Sequence, residues 1–190
     1  MDIRNGRLYV PDVGNHRVNV FSLALLHTFR KPLSDVLRER IMDPIGASDT
    51  WVWNGYKNST VTIDGKPMES VPGGTHWGGG IQISSYDHAR FGLLVSNDGK
   101  WGDKQLIDES WIRQMRTPID IFPAYGFLWW LNTGGAHYPG APETSFFALG
   151  AGNNLIWIDP ALDIVGVIRW IDQEPTADLI KSFSDAIKPL

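Results

Sequence analysis

The hydrophobic residues from Thr144 to Trp170, in TSFFALGAGNNLIWIDPALDIVGVIRW, gather into three short runs separated by turn residues. Ile, Val, Phe and Trp suit a pleated, half-buried surface, so the pattern predicts three strands folded back on one another. They are Ser145 to Gly150, Leu155 to Ile158, and Asp163 to Trp170. Asp159-Pro160-Ala161-Leu162 reads as the second turn, because Pro presets φ and the preceding Asp can bond the backbone. The first connection, Gly150-Ala151-Gly152-Asn153-Asn154, is too long and too glycine-rich for a minimal hairpin. Either it is a plain glycine-rich loop, or its glycines let a bound group approach the backbone closely.

Elsewhere the spacing turns helical. Phe21, Leu25, Leu26 and Phe29 predict one helix, which Pro32 should end; Leu33, Val36, Leu37 and Ile41 predict another. Ser34 is its expected cap, and Pro44 and Gly46 close it. Residues 51–68 read as an irregular, aromatic-rich excursion with a turn at Asp64-Gly65. A glycine-rich loop, 72–80, runs into a strand at Ile81 to Ile83. Ser84 with Asp87 forms a capping pattern for a helix whose expected buried stripe is Tyr86, Ala89, Leu93 and Leu94, and Asn97-Asp98-Gly99 stops it. Asp108 caps a short helix bearing Trp111, Ile112 and Met115. Tyr125 to Leu131 reads as a strand, and a last amphipathic helix from about Pro175 carries Leu179, Ile180, Phe183 and Ile187.

Composition narrows the class. At 190 residues, 43% hydrophobic and 20% charged, the chain is that of an ordinary globular domain. A net charge of −4 without a basic run argues against nucleic acid as partner. The absence of Cys removes disulfides, a thiolate nucleophile and cysteine metal sites. No charged n-region followed by an apolar h-region opens the chain, and no apolar run is long enough to span a bilayer. The compartment is left open.

The first residues stand apart. Gly6-Arg7-Leu8-Tyr9-Val10 followed by residues 12–21, DVGNHRVNVF, reads as strand, turn, strand and resembles half an NHL propeller repeat. It occurs once, whereas such units need neighbours to bury their faces. The expected division is therefore an atypical start, residues 1–21, that is a native segment or a fusion, and a domain over residues 22–190.

A second resemblance is longer. Arg38-Glu39-Arg40-Ile41-Met42-Asp43-Pro44-Ile45-Gly46, the GGGIQISSYDHARFG segment at 78–92, and WGDKQLI at 101–107 follow one another in order, and Tyr125-Gly126-Phe127-Leu128-Trp129-Trp130 comes after them. Together, over about Arg17 to Ile171, they resemble the C-terminal part of serine β-lactamase-related hydrolases. That family includes class C β-lactamases, penicillin-binding-protein-like peptidases and esterases. The resemblance implies an α/β (α+β) fold, an antiparallel sheet flanked by helices, β-lactamase/transpeptidase-like and N-terminally incomplete. It also implies amide or ester hydrolysis through an acyl-enzyme, without cofactor or metal.

The family's chemistry needs a Ser-x-x-Lys pair, in which Lys one helical turn on helps activate the Ser. No Ser here has Lys three residues later, and Thr28-Phe29-Arg30-Lys31 is the nearest match. Aligning on Arg17-Val18-Asn19 sets Val13 where the family has its Tyr, with Asn15 at that motif's third position. Val has no proton to exchange. The family's Lys-Thr-Gly or His-x-Gly strand falls on Gly150-Ala151-Gly152, which keeps a backbone edge and loses the side chain. No catalytic residue is therefore assigned. The candidate substrate-binding residues are Gly150, Ala151, Gly152, Asn15, His76, Trp77 and Trp130.

Two readings follow. The chain is the C-terminal part of a hydrolase, inactive alone, whose cleft takes a small-molecule amide or ester. Alternatively it is a non-catalytic module that self-associates through an exposed sheet edge, a possible homo-oligomer. His76 is a cleft residue or a plain loop histidine; of Trp129 and Trp130, one is core and the other faces a cleft. Asp120, Asp159, Asp163 and Asp172 read as turn and solvated acids, and residues 137–140 as a surface loop.

Overall fold

The computed structural model describes residues 2–4, 7–9, 16–55, 59–70 and 80–187. They divide into two compact units, Met1–Asp43 with Ser48–Ile83, and Pro44–Ala47 with Ser84–Leu190.

In the first unit, β1 (Asp2–Arg4) pairs antiparallel with β2 (Arg7–Tyr9). Helix α1 then runs from His16 to Phe29. Residues 16–21 are thus helical, which overturns the strand-turn-strand expectation and with it the propeller resemblance. The helical periodicity that starts at Phe21 extends one turn further back. Helix α2 (Leu33–Leu37) continues into a π-helical turn, Arg38–Met42. Its cap is Pro32, whose carbonyl accepts from the Val36 amide; Ser34, the expected cap, lies inside the first turn. Proline fits there because an N-terminal amide would lack a partner in any case. The pair β3 (Val52–Asn54) and β6 (Gly80–Gln82) is antiparallel, as are β4 (Thr60–Ile63) and β5 (Lys66–Glu69). Asp64 and Gly65 join the latter with φ of 51° and 75°, the left-handed pair a tight hairpin requires. Leu26, Leu33, Ile63 and Met68 form this unit's core.

The second unit is built on an antiparallel sheet in the order β12-β11-β10-β9. Strands β10 (Phe146–Gly150), β11 (Asn154–Asp159) and β12 (Ile164–Ile168) are the three expected from the sequence. Alternation sends Phe146, Ile156 and Ile158 into one hydrophobic cluster, with Val95 of α3 (Ser85–Ser96) and with Ile112 and Met115. The latter two lie on α4 (Glu109–Met115). Phe147, Leu155, Trp157 and Ile168 enter the other cluster, with Ile180 of α5 (Gln173–Ile187). A small hairpin, β7 (Lys100–Trp101) with β8 (Lys104–Gln105), follows α3.

Two helices are rotated from their expected stripes. On α3 the buried residues are Asp87, Gly92, Leu94 and Val95, whereas Tyr86 is 81% exposed. Gly92 decides this, because a Cβ there would meet Val165 and Ile156, so the helix turns its hydrogen face to the sheet. On α5 Thr176, Ile180 and Ser184 are buried, while Phe183 and Ile187 are exposed. The Thr176 hydroxyl donates to the Asp172 carbonyl and so sits inside at small cost, whereas the Ser184 hydroxyl is buried without a partner among the described residues. The expected strand Tyr125 to Leu131 shortens to β9 (Trp130–Leu131), since Leu128 has φ 63° and breaks the extended run.

Ser84 caps α3 as expected, accepting from the Asp87 amide, and Asp108 caps α4. Asp159 is not a solvated acid. It is fully buried and accepts from the Thr144 and Ser145 hydroxyls and from the Ala161 and Leu162 amides. A turn-forming carboxylate gathers whatever donors its turn encloses, and here the turn packs under β10.

Candidate functional site

Gly150, Ala151 and Gly152 lie together, exposed, at the end of β10. Ala151–Asn153 make one tight turn before β11 begins. Gly152 and Asn153 have φ of 71° and 54°. Two contacts hold the turn. Asn154 Nδ2 donates to the Ala151 carbonyl at 2.7 Å, and Asn154 Oδ1 accepts from Arg169 Nε at 3.2 Å. The ring of Trp170 lies over Gly152. Trp170 itself is 74% exposed with φ 59°, a left-handed backbone uncommon for a bulky residue.

Beside Arg169 stands His88 of α3, whose buried Nδ1 has no hydrogen-bond partner. Burial, and then the Arg169 charge, push its imidazole below the usual histidine range, so it stays neutral.

A second group of residues reaches the same strand end from the α5 side. Buried Asn132 donates to the carbonyls of Tyr138, Ala141 and Pro142, and accepts from the His137 and Tyr138 amides. One side chain thereby folds the 132–142 loop and sets Tyr138 edge-on to Phe147 at 4.9 Å. The expected surface loop at 137–140 is therefore partly interior: Tyr138 is buried, and His137 packs on Trp130 at 4.8 Å. A cavity of about 170 Å³ opens between this loop, the 150–153 turn and the start of α5.

Of the sequence candidates, the structure brings Gly150, Ala151 and Gly152 to one edge. Trp129 and Trp130 do face opposite ways. Trp129 joins the core with Phe146, and Trp130 sits in an aromatic group with Phe122, Tyr125 and His137. Trp130 does not line the cavity. Asn15, His76 and Trp77 lie outside the described residues. Thr28 donates to the Ala24 carbonyl, and Lys31 pairs with Glu39, so the nearest match to the nucleophile motif is engaged otherwise. Tyr138, Arg169 and Trp170 escaped the sequence reading. Each is set by a contact between distant segments, which no local spacing announces.

No protein-family model and no curated protein sequence matches the chain. Solved structures do. A Bacillus anthracis protein assigned as a 6-aminohexanoate-dimer hydrolase superposes with TM-score 0.65 at 20% identity, over 94% of this chain and 44% of its own. The fold is β-lactamase-like. A Bacteroides dorei DSM 17855 protein assigned as a β-lactamase gives TM-score 0.54 at 13% identity, over 93% of this chain and 67% of its own. This β-lactamase-like chain thus spans less than half the length of the first structure. Among the described residues no group of His, Asp and Glu could hold a metal ion, and no helix is long and apolar enough to cross a membrane.

Proposed function

We propose that this chain is the C-terminal part of a serine β-lactamase-related hydrolase. In this reading the Gly150–Gly152 edge is the backbone wall along which an amide or ester substrate docks. The observation that carries it is the β10-turn-β11 hairpin, within a β-lactamase-like fold, whose exposed end is backbone rather than side chain. A backbone edge supplies amide donors to a substrate carbonyl without adding a nucleophile. The chain alone is inactive in this reading, because no Ser-x-x-Lys occurs in it and loss of a nucleophile costs on the order of a million-fold. The test is turnover of nitrocefin and of p-nitrophenyl esters by the purified chain. Rates at the level of buffer support the reading, and a rate that tracks protein through purification overturns it.

A second reading has one observation in its favour. Strand β12 ends the sheet on one side, with no partner strand among the described residues. Uncovered edges pair with other chains, which makes self-association the expected behaviour of a non-catalytic module. Light scattering across a concentration series distinguishes the two: a monomer throughout removes this second reading.

A further inference from the structure

The cavity at the end of β10 is lined by neutral polar groups and two leucines. We propose that it takes a short, neutral carboxamide, as a side-chain pocket of the substrate edge described above; this rests on that reading. Tyr138 lines it and is 7% exposed, yet its hydroxyl has no hydrogen-bond partner among the described residues. The oxygen is not closed off from solvent, so a ligand's carbonyl oxygen would accept from it in place of water. Burial holds that phenol above its usual range, so it remains a donor. Thr176 also lines the cavity, and its hydroxyl gives its hydrogen to the Asp172 carbonyl at 2.8 Å, which leaves its oxygen as an acceptor for an N–H. Asn153 and Gln173 add amide groups at the rim.

Charge decides the class of ligand. Among the described residues no ionised side chain lines the cavity, so a carboxylate or ammonium group would enter without a compensating charge. Leu149 and Leu155 supply an apolar strip, which suits an alkyl chain beside the amide. The volume, about 170 Å³, is close to that of engineered cavities of roughly 150 Å³ that take up benzene. A ligand of about six non-hydrogen atoms follows from that size.

The experiment is an amide-resolved NMR titration of the whole chain with butyramide, against butyrate and n-butylamine at the same concentrations. Butyramide is expected to give saturable shifts confined to Gly150, Leu155, Thr176 and their neighbours, with the charged analogues at least about tenfold weaker. Tyr138→Phe, which removes a hydroxyl that bonds none of the described residues, is expected to weaken butyramide about fivefold, the worth of one hydrogen bond. Leu149→Trp, at a position already 40% exposed, fills the mouth and abolishes the shifts. Unsaturable or scattered shifts would mean a cavity holding water only and overturn the proposal. So would butyrate binding equal to butyramide, or indifference to both variants. The titration reads occupancy and not turnover, so its failure leaves the strand-edge reading to the ester and nitrocefin assay.

Discussion

The ring of Trp170 occupies the place where a side chain on Gly152 would begin: a Cβ built there falls 2.2 Å from Trp170 Cζ3. Gly152 also has φ 71°, so it is required both for its backbone and for its missing side chain. Gly152→Ala should lower stability by about 2 kcal/mol, part from the left-handed backbone and part from displacing the ring. In a Trp170→Ala background only the backbone part should remain, about 1 kcal/mol. Urea unfolding of the four proteins in this cycle measures the difference, and equal costs in both backgrounds would refute the contact.

Gly92 poses the opposite balance. Alanine is about 1 kcal/mol better than glycine inside a helix. A Cβ at Gly92 would stand 2.6 Å from Val165 Cγ1 and 2.8 Å from Ile156 Cγ2. Overpacking of that kind costs about 1–3 kcal/mol, so the net effect of Gly92→Ala is a loss. Adding Val165→Ala should recover part of it. A stabilised Gly92→Ala would mean that α3 can move off the sheet freely.

Asp159 gathers two hydroxyls and two amides in the interior. Asp159→Ala leaves them without their acceptor and should cost about 3 kcal/mol or more, seen as a lowered denaturant midpoint. Asp159→Asn keeps one carbonyl oxygen and should cost less. Ser145 is the sharper probe, because its hydroxyl also accepts from the Trp157 indole at 3.0 Å. Ser145→Ala is expected to shift the indole N–H resonance of Trp157.

Acid should weaken the protein through His88. Its folded imidazole has a lowered pKa, so the unfolded chain binds the proton more readily. Stability is full above the unfolded value, about 6.5, and falls as pH drops below it. His88→Leu should flatten that part of the profile, in melting temperatures between about pH 7.5 and 5. An unchanged slope would place the acid sensitivity elsewhere.

The legible parts of this chain were those set by neighbours in sequence. The three strands, the Asp159-Pro160 turn, the Asp64-Gly65 hairpin, and the Ser84 and Asp108 caps all rest on residues within about four of one another. Helix faces were harder to read, because an apolar residue carries no record of what it meets. Phe183 was the larger side chain, yet Thr176 and Ser184 went inside, since the turn of α5 follows Ile180 into the cluster under Leu155 and Trp157. The candidate site divided the same way. Its backbone edge followed from the glycines, whereas Tyr138 and Trp170 arrive from segments held by Asn132 and Arg169.

Phe146 and Phe147, adjacent in the chain, are 1% and 0% exposed and belong to different clusters. The sheet is consequently a partition with a filled compartment on either hand. A slip of one residue along β10 would exchange the contents of both compartments at once, and neither could refill from solvent-facing neighbours. Evolution can therefore lengthen the turn beyond Gly150 far more readily than it can insert a residue before it.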